Sequence, residues 1–144
     1  MASDGEAGGG NAHAGVGAVV LRLPPSVNHS YRRVWRGRPG SVGGYMAQQL
    51  TPEAEAWLDE CRLRAGMAAR ASGWRAPGPG TKVVVELFAY WPDARRRDVH
   101  NLHKLVADGL EGVVYTDDRW ALLRDMDFAI DRSRPRLEVR WYRR

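Results

Sequence analysis

Arg95, Arg96 and Arg97 run directly into Asp98, and two adjacent aspartates, Asp117 and Asp118, close the same short stretch. His100, Asn101, His103, Lys104 and Asp108 lie between them. Like charges this dense repel one another unless a counter-charge is near. Phosphates would answer the arginines, and a divalent cation the carboxylates. Magnesium is a hard ion that takes oxygen ligands and keeps several waters. At a phosphodiester such an ion orients an attacking water, lowers its pKa and neutralises the oxyanion that forms. Lys104 opposite the reacting phosphate would steady the same charge. Each residue also has a plainer reading. Asp98 can simply cap a helix, Asp117 and Asp118 can form a polar turn, and Lys104 with Asp108 can be a surface ion pair worth ~0.3 to 0.5 kcal/mol.

The elements that must position these groups follow from pattern. Residues 82–91, KVVVELFAYW, are branched and aromatic between Gly80 and Pro92, which predicts a central strand delivering Asp98 just past its end. Leu102, Leu105, Val106, Leu110 and Val113 form one stripe, so residues 99–112 read as a helix with Asp98 as N-cap and Gly112 as its stop. On that helix Asp98, His100 and Asn101 share the first turn. Lys104 and Asp108 occupy an adjoining face, and His103 falls toward the opposite flank. Residues 113–115 form a short strand or turn before Asp117. Two strands, 122–130 and 137–142, follow with 131–135 as a hairpin loop between them.

Upstream, residues 17–23 alternate as a strand that Pro24 and Pro25 end. Residues 24–40 read as a long loop carrying Asn28, Tyr31, Arg32, Arg33, Arg36 and Arg38. It is either a solvated connection or a surface meeting nucleic-acid phosphates and sugars, and its length favours a role. Thr51, Pro52 and the spacing of Ala54, Trp57, Leu58, Cys61, Leu63, Ala65 and Ala68 predict a helix to about Ala71. Residues 73–80 break it.

A chain of 144 residues makes one domain. Residues 1–16, rich in Gly and Ala, read as a disordered tail on a domain of 17–144. The 44% hydrophobic content and six tryptophans exclude a wholly disordered chain. A net charge of +5 favours polyanionic partners, although Lys82 and Lys104 are the only lysines and an arginine bias can reflect genomic base composition. Cys61 is the single cysteine, which excludes an intrachain disulfide and fits a reducing cytoplasm. No apolar run nears the ~20 residues needed to cross a bilayer. A cytoplasmic protein without membrane contact is expected.

PPSVNHSYR near the start, followed by PDARRRDVHNLHKLVADGLEGVVYTDDR, resembles the RusA family of Holliday junction resolvases. The family pattern reads PP-S-x-N-x-x-Y-R, a basic run, D-x-D-N-x-x-K-x-x-x-D-x-L and then D-D. The likeness extends, less specifically, over about residues 19–142. It implies an α+β fold, a single small domain with a mixed β-sheet of about four strands packed with two main helices. It also implies a symmetric homodimer that binds four-way DNA junctions and cleaves them with Mg2+ or Mn2+, in recombination or repair of bacterial or prophage DNA. By position, the catalytic residues are Asp98, His100, Lys104 and Asp118, and the metal ligands Asp98, His100, Asp117 and Asp118. Asn28, Tyr31, Arg32, Arg95, Arg96, Arg97 and Asn101 would face DNA. One departure matters: His100 stands where the pattern has a second carboxylate. Imidazole suits manganese, zinc or iron better than magnesium. His100 could therefore be a ligand, a proton shuttle or phosphate contact, or the mark of a slow enzyme. A junction-binding protein without catalysis and a basic RNA-binding module remain as alternatives.

Overall fold

Strand β4 (Val83–Trp91) is the axis of the molecule, because both of its edges are paired and most of its side chains are buried. β5 (Ala121–Ile130) pairs with it in parallel, and β6 (Arg136–Arg143) pairs with its other edge antiparallel. β1 (Val16–Leu21) completes a mixed sheet of order β1-β6-β4-β5. A separate hairpin joins β2 (Tyr31–Arg36) to β3 (Tyr45–Leu50). This computed structural model describes residues 15–40 and 42–144, with the side chains of Val27 and Asn28 outside the description. The expected tail therefore lies almost wholly outside the described residues.

Alternation along β4 explains the core. Val83, Val85, Leu87, Ala89 and Trp91 share one face and join Trp57, Leu58, Cys61 and Ala65 of helix α2 (Pro52–Ser72) and Leu105, Val106 and Leu110 of helix α3 (His103–Leu110) in a single buried cluster. Each fully buried aliphatic side chain of this kind contributes roughly 1.5 to 3 kcal/mol. Thr51 Oγ1 accepts the Ala54 N–H at 3.3 Å, capping α2 as its sequence predicts. At the other end Gly73 adopts φ 72°, a left-handed cap that only glycine takes without strain. Gly109 has a different task. A Cβ there would lie 2.7 Å from Cys61 Sγ, so glycine lets α3 sit tightly against α2. Burial pushes the Cys61 thiol up to about 12, which makes it a packing group rather than a nucleophile.

The α+β class and the four-stranded mixed sheet are as expected. Three local expectations are corrected. β5 and β6 are not a hairpin, because β4 lies between them; the Asp131 N–H donates to Trp91 O at 2.8 Å as the chain crosses the end of β4. The long loop of 24–40 instead contains a helical turn, α1 (Val27–Ser30), and β2, whose partner β3 has no branched-residue signal. The helix expected over 99–112 is two pieces: a 3-10 turn, Val99–Leu102, and then α3.

Candidate active site

Asp98 leaves β4 through the arginine segment and caps the 3-10 turn, its Oδ1 accepting the His100 N–H at 3.0 Å. It shares a cleft with Pro24, Ser26, Arg96, Arg97 and Asn101. The PPS segment and the central motif, far apart in sequence, therefore line one surface. Arg97 is already engaged: Nη1 is 2.6 Å from Asp93 Oδ1, and its guanidinium stacks over Trp91 at 5.5 Å. That contact holds the Asp93 carboxyl down to about 2. Arg95 and Arg96 project outward and are exposed.

Lys104, on the first turn of α3, points its ammonium at the Tyr31 ring, 4.4 Å from the centroid. β2 and α3 thus meet through two residues expected at the site, and the aromatic face attracts the cation. Arg32 and Arg33 continue along β2 as exposed groups. Asn28 lies in α1, with its side chain outside the described residues.

The carboxylates converge at the far end of α3. A tight turn returns the chain: Gly112 takes φ 86°, its N–H donates to Tyr115 O at 2.8 Å, and the Val114 N–H donates to Leu110 O at 2.9 Å. Buried Tyr115 anchors the turn through its hydroxyl, which donates to Ala107 O at 2.6 Å. Asp118 is thereby brought back onto α3, where one oxygen each from Asp108, Glu111 and Asp118 lies within 4.8 Å of the others. Burial and the neighbouring Asp118 raise the Asp108 carboxyl, with Lys104 and Arg62 opposing. Glu111 is raised as well, by partial desolvation and by repulsion from Asp118, Asp117 and Asp108. This donor set is all oxygen and short of positive charge, which fits a hard divalent cation.

Asp98 and Asp117 belong neither to this group nor to the group of His100, His103 and Asp125. Asp117 caps the turn at Asp118–Trp120 by accepting the Arg119 N–H at 3.0 Å. His100 sits instead with His103 and Asp125 of β5, the two rings 4.5 Å apart. His103 is not on an opposite flank. In a 3-10 turn residues three apart eclipse one another, so His100 and His103 fall together. By sequence Asp108 reads as one half of an ion pair with Lys104, and Glu111 does not stand out. Their spacing of three on a helix was the available signal. Asp125 carried no local signal, since only the parallel pairing of β5 brings it near α3.

A mixed-sheet domain that gathers carboxylates and a lysine beside exposed arginines has the make-up of a nuclease. The chain belongs to the RusA family: the family described as Endodeoxyribonuclease RusA matches residues 24–141. No individual curated protein matches it. The family makes it an endodeoxyribonuclease, and no helix among the described residues is long and apolar enough to cross a membrane.

Proposed function

We propose that this endodeoxyribonuclease resolves four-way DNA junctions by divalent-cation-dependent phosphodiester hydrolysis, working as a homodimer in the cytoplasm. The observation that carries this reading is the Asp108, Glu111 and Asp118 cluster at the end of the helix that bears Lys104. Desolvation first, and mutual repulsion second, raise the Asp108 and Glu111 carboxyls, and Mg2+ or Mn2+ bound there would relieve both. When bound, the ion supplies Lewis-acid charge and a more acidic water.

This chain's own residues do the rest. Asp118, Asp108 and Glu111 hold the ion, and Asp117 fixes the turn that presents Asp118. Lys104, steadied by Tyr31, offsets charge developing on the scissile phosphate. Arg95, Arg96, Arg32 and Asn101 set the register of the flanking strand through phosphate contacts. Asp98 orders the first turn and faces the cleft that the strand would follow. A two-fold substrate suits a two-fold protein, and β5 offers an edge on which Met126, Phe128 and Ile130 are exposed.

Synthetic four-way junctions incubated with Mg2+, with Mn2+ and with chelator test the reading. Cleavage into paired nicked duplexes with either ion, and none with chelator, is expected. Binding of junctions with no cut under any metal would instead favour a catalytically silent junction-binding protein, the reading that the histidine at position 100 keeps open. Sedimentation of the free protein as a monomer at assay concentration would remove the homodimer.

A further inference from the structure

At the opposite end of α3 stands a cluster of different chemistry. His100 closes in on His103 at 4.5 Å between ring centroids with an interplanar angle of 57°, and His103 Nε2 lies 2.6 Å from Asp125 Oδ1. One ligand atom from each of the three lies within 4.8 Å of the others. The group shares no residue with the carboxylate cluster.

Three separate features of the fold build it. The 3-10 turn eclipses the two histidines on one side, more closely than the three-residue neighbours of a continuous helix. Parallel pairing of β5 with β4 sets Asp125 opposite Leu87, two residues beyond Leu123, which packs against the core. A bulge follows at once, since the next pair is Phe88 with Asp127 and Met126 is left over. Bulges at such places re-aim a side chain. A plain hydrogen bond between His103 and Asp125 would need no second imidazole. Yet His100 places its ring there, and no hydrogen bond to that ring is present among the described residues.

We propose that His100, His103 and Asp125 form a binding site for a divalent transition-metal ion, with zinc, manganese, cobalt or iron as its class. Two imidazole nitrogens and one carboxylate oxygen, with open positions left for water or a ligand, suit such ions. Magnesium, which wants a nearly complete oxygen octahedron, is a poor match. Ligand atoms around zinc stand roughly 3 to 3.5 Å apart, so binding requires only a small inward rotation of the exposed His100 ring and the loss of the His103 to Asp125 hydrogen bond. The histidine at position 100 is then one of three donors in a second, softer site.

Chelator-stripped, full-length protein titrated with Co2+ in excess Mg2+, followed by visible absorption and calorimetry, tests it. One equivalent of Co2+ should bind with ligand-field bands, resist Mg2+ and be displaced by Zn2+. His100→Ala, His103→Ala and Asp125→Asn should each weaken binding at least about tenfold, with circular dichroism confirming that each variant is folded. A His13→Ala/His29→Ala double variant, which removes the other two histidines, and Asp118→Asn should bind as the parent does. Absence of Co2+ binding, displacement by Mg2+, unchanged binding in His103→Ala, or loss of binding in the double variant or in Asp118→Asn would each overturn the site. Junction cleavage of the same samples in Mg2+ alone reports separately on the nuclease reading.

Discussion

The two ends of α3 carry polar clusters built on opposite electrostatics. At the N-terminal end His103 and Asp125 share a hydrogen bond of 2.6 Å, so that pair is satisfied as it stands. At the C-terminal end Asp108, Glu111 and Asp118 repel one another, and the carbonyls of the last helical turn add to the negative field. No basic residue occupies that last turn. Lys104 and Arg62 reach Asp108 from outside it, and its carboxyl is still raised. A helix end arranged only for stability would carry the opposite sign. The difference supports the proposed reading of the carboxylate end as a cation site, while the histidine end folds without one.

Breaking that contrast should have its largest effect on cleavage. Asp118→Asn and Asp108→Asn are expected to lower junction cleavage by at least about 10²-fold, the scale of losing a transition-state electrostatic contact, while gel-shift binding of junctions is kept. Both variants should also raise the melting temperature measured without metal, because each removes a repelling charge. A fall in metal-free stability would show that the cluster is structural.

Next in size is the seam that holds both ends in register. Gly109→Ala drives a Cβ to 2.7 Å from Cys61 Sγ, and overpacking of this kind costs about 1 to 3 kcal/mol. Urea unfolding should show the loss, and Cys61→Ala in the same chain should restore part of it. Smaller still is the effect of the rim. Arg96→Ala should reduce the slope of log affinity against log salt by about 0.9 for each lost phosphate contact. Arg97→Ala should change the slope less, since Asp93 already holds that guanidinium.

The smallest prediction concerns Asp93. Its hydrogen bond from Arg97 depresses the folded-state carboxyl to about 2 from an ordinary 3.8. A depressed carboxyl contributes stability above the unfolded value and loses it as pH falls through the folded one. Asp93→Asn should therefore flatten the acid unfolding curve between about pH 4 and pH 2 and leave its shape near neutrality alone. An unchanged curve in that window would show that the pair is not formed in solution.

Much of the fold was legible in the residues themselves. The strand at 82–91 and the helix from Pro52 announce themselves because burial on a strand and capping of a helix are local demands on residue type. β3, YMAQQL, escaped because a two-stranded arm is held by backbone pairing with β2 and needs no branched or apolar alternation. The false hairpin at 131–135 had a related cause. Two strands separated by a short polar loop look alike whether they pair with each other or straddle a third.

The sequence by itself determined the chemical inventory: clustered arginines, several carboxylates, one lysine beside them, and a histidine where the family pattern carries an acid. Those are properties of side chains and survive any fold. Only the tertiary structure decided which of them meet. It drew Asp118 to Asp108 and Glu111 and left Asp98 as a cap facing the cleft. It also sent His100 to His103 and Asp125, through a 3-10 turn and a parallel pairing that no local spacing encodes. Partnerships across a sheet depend on strand order and register, and these are set by how the whole chain buries its apolar faces.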